Sequence, residues 1–226
     1  MNVMSRIVVG PIAALTVLMA AALSPAGPAV ADPPPTQQIS VMAVGPDGQP
    51  MNGYRESPPE GNVVTVEGCE ASPSATADNV YSCAPSAAGA GTCWPSSPGS
   101  LLCVDNPWDR TMHRVRYNGS LPPVQPIATP DPFALTLDDG AQCRLRNGGA
   151  GGGRADGYVA AYYCGDPYAN VSVLELPGQG PGSCIDRSSA TWTVKVGPLG
   201  RPDAVYPPPQ TRAVTSAWFA GPKAGQ

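Results

Sequence analysis

The sequence predicts a mainly β protein, built of short antiparallel strands and hairpins, loop-rich and stapled by disulfides. Three observations carry this. Apolar residues alternate over short β-branched or aromatic runs, and no stretch beyond the leader keeps them at helical spacing for three turns. Turn formers are dense, with 29 Pro and 26 Gly among 226 residues. Seven cysteines follow a leader that has the layout of an export signal. The hydrophobic fraction of 42% is sufficient for a core, so the loops do not amount to disorder.

Residues 1–31 read as a secretory signal peptide. A short "MNVMSR" with the charge of Arg6 precedes an apolar run from Ile7 to Leu23, then Pro25, Pro28 and the small-residue site Ala29-Val30-Ala31. Cleavage is predicted before Asp32. The rival reading, an uncleaved anchor, needs about 20 apolar residues, and this run is shorter and interrupted by Gly10 and Pro11. No later segment is apolar enough to span a bilayer, so no integral membrane span is expected after cleavage. The net charge is −4 and no basic run occurs, which leaves nucleic acid and anionic membranes without an electrostatic footprint.

Residues 32–60 form an extended Pro/Gly-rich N-terminal segment, with "ADPPPTQQ" as a solvated lead-in. Residues 61–119 are a Cys-rich region of short strands, "NVVTVEGC", "NVYSC", "SLLCVDN" and "MHRVRY", broken by turns. Residues 120–132 carry five prolines, too many for a strand interior or a helix, and read as a stiff connector. Residues 133–221 form a second β region. In "FALTL", Phe133, Leu135 and Leu137 share one face; "DDG" turns the chain, and "QCRLRN" returns as a hairpin partner. "ATWTVKVG" places Trp192, Val194 and Val196 inward and Thr191, Thr193 and Lys195 outward. "VSVLEL" and "AVTSAWF" are further strands, and residues 222–226 are a tail.

In an oxidising compartment the cysteines read as disulfides. Metal binding would need close Cys pairs or companion histidines, and the sequence has neither. Local spacing favours Cys69–Cys83, Cys93–Cys103 and Cys143–Cys164. Cys184 is then a spare thiol, which could be buried and inert, join two chains, or pair with a cysteine of the first half.

The stretch "CRLRNGGAGGGRADGYVAAYYC", from Cys143 to Cys164, looks most like a site. Gly148 and Gly153 have phosphate-loop spacing, but Arg154 and Ala155 replace the lysine and hydroxyl that hold phosphate and magnesium. The dinucleotide pattern fails because Arg154 stands where a third glycine is needed. The reading is a stapled hairpin with a wide, mobile glycine connection. Its tip, with Arg146, Arg154 and Asp156, is a weak candidate binding loop.

No catalytic, cofactor-binding or metal-binding residues are assigned, and no cofactor is expected. His113, the one histidine, has no accompanying nucleophile motif, and a hydrogen-bonded or surface role is favoured. The five Glu residues of the chain cannot be paired from sequence, and Asp138 and Asp139 suit a turn. Tyr158, Tyr162, Tyr163 and Tyr168, with Trp94, Trp108, Trp192 and Trp218, could offer stacking faces to a sugar or a partner.

The strings "CWPSSPGSLLCVDNPWDR", "LDDGAQCRLRNGG", "ADGYVAAYYC", "IDRSSATWTVKVG" and "AWFAG" together resemble a group of exported proteins of mycobacteria and related actinobacteria. The resemblance spans about Cys83 to Gly221. It implies a secreted or cell-wall-associated location and transfers no functional residue. The expectation is a secreted or envelope protein acting as a non-catalytic binding or structural module toward an envelope or extracellular ligand. The alternative is an extracellular hydrolase acting on cell-wall or environmental substrates.

Overall fold

The computed structural model describes residues 33–58, 62–149, 152–165, 171–178 and 183–222. The predicted signal peptide and most of the tail lie outside them. The strands among the described residues are, in chain order, β1 (Gln37–Val41), β2 (Arg55–Glu56), β3 (Thr65–Ala71), β4 (Tyr81–Ala84), β5 (Cys93–Pro95), β6 (Ser100–Asn106) and β7 (Thr111–Tyr117). They continue with β8 (Ala134–Leu137), β9 (Gln142–Leu145), β10 (Val159–Cys164), β11 (Val171–Glu175), β12 (Ile185–Asp186), β13 (Thr193–Pro198) and β14 (Gln210–Ala220).

These strands close two β-barrels. The N-terminal barrel runs β7-β3-β4-β5-β6 and returns to β7, with β2 added outside. The C-terminal barrel runs β14-β8-β9-β10-β11-β13 and returns to β14, with β1 and β12 on its flanks. Closure removes the open edges that short strands would otherwise expose. Most ladders are antiparallel, and they include the predicted hairpin of β8 with β9 and the stapled pair β9–β10. Three are parallel: β1 on β14, β2 on β7 and β3 on β7. A parallel pair joins strands far apart in the chain, so no local turn announces it.

Barrels of five and six strands have narrow interiors. Compact cystines help to fill them. Cys93 stands opposite Cys103 in the β5–β6 ladder, and Cys143 opposite Cys164 in the β9–β10 ladder. Both pairs are bonded, as is Cys69–Cys83, so the three bridges are the local ones. Around the first sits a core with Val66, Tyr81, Leu101 and Val115. Around the second lie Leu135, Tyr162, Trp192, Val194 and Phe219, among others.

A third apolar cluster fills the seam between the barrels, with Val41, Trp94, Leu102, Met112, Phe133 and Ala134. It explains the unbroken apolar run in β6. Leu101 points into its own barrel and Leu102 into the seam, so both faces of the strand are buried. The seam also corrects one face assignment. Leu135 and Leu137 enter the C-terminal barrel, but Phe133 precedes β8 and packs with Ala134 in the seam. The lead-in is likewise less solvated than its composition suggests. Thr36 is buried, its hydroxyl donating to the Val214 carbonyl (2.7 Å) and accepting from the Trp192 amide (2.8 Å). In the proline connector the Pro122 carbonyl accepts from the Tyr81 hydroxyl (2.9 Å).

Candidate functional site

Where the end of β6 meets β9, the two barrels leave a cleft of about 230 Å³. Gly91, Thr92 and Asp105 line it from the N-terminal barrel, and Arg144, Arg146 and Tyr163 from the C-terminal one. The disulfide sets the second group. With Cys143 opposite Cys164, Arg144 falls opposite Tyr163 in the same ladder. Alternation buries Tyr162 and leaves Tyr163 41% exposed.

Arg144 reaches across the seam, and its Nη1 donates to the Asp105 main-chain carbonyl at 2.8 Å. Arg146 turns back on its own loop, donating from Nε to the Gly148 carbonyl (3.1 Å) and from Nη2 to that of Gly149. The Asp105 carboxylate is engaged elsewhere, 2.5 Å from His113 Nδ1. The other ring nitrogen, Nε2, lies 2.9 Å from the Ala88 carbonyl in the short 3₁₀ turn Ser86–Ala88. Gly89 ends that turn in the left-handed region (φ 66°), and a Cβ there would stand 3.3 Å from the His113 ring. A side chain there would be strained at this φ and would press on the imidazole.

Both acceptors around His113 can only accept, so the ring that satisfies both is the imidazolium. In that form the ring has no free lone pair with which to act as a general base. Its proton is held above the ordinary range, first by the hydrogen bond to Asp105; burial opposes this, and the Asp105 charge and the Ala88 carbonyl add to it. A raised folded-state value stabilises the fold fully below about pH 6.5, and that contribution is lost as the pH rises through the folded value. Urea unfolding of the parent and His113→Gln at about pH 5 and about pH 8 measures this. The stability gap is expected to be wider at the acidic pH; a pH-independent gap would exclude a bridging imidazolium.

The described part of the glycine connection is docked on the barrel. Gly153 pairs with Gly200 through two main-chain hydrogen bonds (2.8 and 3.1 Å), which docks the described part of the loop onto the segment after β13. Arg154 is buried rather than at a tip. It makes a two-pronged pair with Asp156 (2.9 and 2.8 Å) and donates to the carbonyls of Pro198 (3.3 Å) and Pro207 (2.7 Å). Its guanidinium also lies over the Tyr206 ring, 5.5 Å from the centroid. Arg154 and Asp156 therefore form an anchor, and of the three loop residues only Arg146 reaches the cleft.

Cys184 is free and half-buried against the C-terminal core. Burial, with the charges of Asp131 and Glu175, pushes its thiol up to about 12. It is therefore protonated at neutral pH and a poor nucleophile. Asp138 and Asp139 both bind Arg212, at 2.7 and 2.8 Å. Burial first, and then Asp131, raise Glu175, while Asp131 is itself buried and bonded to Arg187 (3.4 Å).

Among the aromatics, Trp94 and Trp192 are buried, Trp108 and Trp218 meet edge-on in the seam (5.5 Å), and Tyr158 takes the Lys195 ammonium on its hydroxyl (3.1 Å). Tyr168 lies outside the described residues. The sequence reading passed over Asp105 and Arg144, although the proposed staple already implied that Arg144 stands beside Tyr163.

By fold and site this is a paired-barrel, disulfide-stapled β protein with a cation-lined cleft along its seam. No protein-family model matches the chain, and neither a curated protein nor a solved structure does. Among the described residues no helix is long and apolar enough to cross a membrane, and the three disulfides are compatible with an oxidising environment.

Proposed function

We propose that the protein is an exported, non-catalytic binding module, of the kind its resemblance to exported actinobacterial proteins suggests, and that the seam cleft receives an envelope or extracellular ligand. One observation carries this reading. The only histidine is held at both nitrogens, while Arg144 and Tyr163 in the cleft are exposed. The histidine that nucleophilic chemistry would use is engaged, and the groups that recognition would use are on offer.

Retention of the mature chain on immobilised cell-envelope glycan, with and without Tyr163→Ala, tests the proposal. Retention is expected, with a loss of about tenfold in the variant, the effect of removing one stacking face. A hydrolase screen of the same preparation is expected to show no turnover. Turnover that disappears in His113→Gln would replace the binding reading with an enzymatic one.

A further inference from the structure

The cleft's cations are not held by ion pairs. Arg114, Arg154, Arg187, Arg201 and Arg212 each have a carboxylate within ion-pair distance. Among the described residues Arg55, Arg110 and Arg116 have none, and neither do the two cleft arginines, Arg144 and Arg146. The Arg146 charge reaches Glu175 at longer range, without an ion pair. Both guanidiniums are instead oriented by neutral main-chain carbonyls, those of Asp105, Gly148 and Gly149. A carbonyl fixes a guanidinium without cancelling its charge, and among the described residues each cation keeps further N–H donors unused. Among the described residues the cleft wall holds one carboxylate, Asp105, which is already engaged by His113 Nδ1 at 2.5 Å. An acidic protein, net −4, therefore carries a locally positive cleft whose cations are oriented before any ligand arrives.

The rest of the lining sets the shape of the ligand. Tyr163 presents a partly exposed ring directly across the ladder from Arg144. Around it the wall is mixed, with Ser82, Thr92, Gly89 and Gly91 beside the apolar Val104, Phe133 and Leu145. A flat face beside two cations, in a wall part polar and part apolar, fits a saturated ring whose face is apolar and whose edge carries hydroxyls and one oxyanion. At about 230 Å³ the space is smaller than the ~300–1,000 Å³ of a site that encloses a drug-sized ligand, so it suits one residue of a polymer rather than a long segment.

Given a ligand in the cleft, as proposed above, we infer that it is an acidic sugar: a saccharide ring stacked on Tyr163, with its carboxylate or phosphate held between Arg144 and Arg146. Paired probes test this by calorimetric titration of the mature chain. N-acetylmuramic acid is compared with N-acetylglucosamine, glucuronic acid with glucose, and glucose 6-phosphate with both; alanyl-alanine supplies a carboxylate without a sugar. The charged sugars are expected to bind at least about tenfold more tightly than their neutral partners, the worth of one charge-assisted contact. Arg144→Gln and Arg146→Gln should each remove most of that difference while leaving the neutral sugars unaffected, and raised salt should act in the same direction. The uronate and phosphate arms show which oxyanion is preferred, and either preference supports the inference. Equal binding of charged and neutral sugars overturns it while leaving the cleft a binding site. Alanyl-alanine matching the acidic sugars overturns the sugar assignment. If no probe binds and glycan retention also fails, the binding reading itself falls.

Discussion

Arg154→Ala is expected to lower stability by about 3 kcal/mol, even though its charge partner is at the surface. The side chain is 1% exposed and that of Asp156 is 42% exposed. Losing Arg154 therefore strands no buried charge, because water takes over Asp156. What remains is neutral but costly. The carbonyls of the half-buried Pro198 and the exposed Pro207 lose their donor; a group that water cannot reach costs ~1–3 kcal/mol, and one that it can reach costs less. The space under Tyr206 is also emptied. In a domain of this size ~3 kcal/mol corresponds to a fall in Tm on the order of 10 °C, measurable by circular dichroism. Arg154→Lys should fall between the parent and alanine, since an ammonium cannot reproduce the fork on Asp156. Acidic-sugar binding should survive in whatever fraction stays folded, which separates an anchor from a ligand contact. A shift below ~1 kcal/mol would mean that the loop is not held by this residue.

Breaking the Cys143–Cys164 bridge, by alanine at both positions, should cost at least as much. The bridge closes a separation of 21 residues, which on chain-entropy grounds is worth about 3 kcal/mol. Both sulfurs are buried in the barrel core, so their loss adds a void. Cys93–Cys103, with a separation of 10, should cost only about 0.7 kcal/mol less on the same entropic scale. Urea unfolding under non-reducing conditions measures both, and peptide mapping confirms which bridge is absent. The cleft gives this substitution a second signature. The register that sets Arg144 beside Tyr163 runs through the bridged pair, so binding of acidic sugar should weaken before global unfolding. Unchanged stability and unchanged binding would detach the site from its staple.

These two expectations mark what could be read from the residues alone. The alternation of Trp192, Val194 and Val196 revealed a half-buried strand, because period-two burial is a local property. The three bridges followed from spacing for the same reason. Closure into barrels did not follow: it depends on β3–β7 and β1–β14, ladders between segments that no turn connects. Arg154 was misplaced because a buried arginine and an exposed one are written with the same letter. Its acceptors are main-chain carbonyls more than forty residues away, which have no sequence signature. The cleft was half legible. Arg144 and Tyr163 adjoin the paired cysteines, whereas Asp105 reaches the same place only through packing of the two barrels.

The last strand governs when the molecule can be completed. β14 seals the C-terminal barrel against both β8 and β13, and it also carries β1, which comes from the opposite end of the described chain. The N-terminal barrel has all its ladders, and two of the three bridges, once Tyr117 has been made. A chain delivered amino end first therefore offers its two halves to folding at different times. The first barrel can close early as a platform, while β1 and the remaining strands wait for the final ladder. Long-range pairing of this kind is slow, and the seam cleft, which needs both barrels, is the last feature to exist.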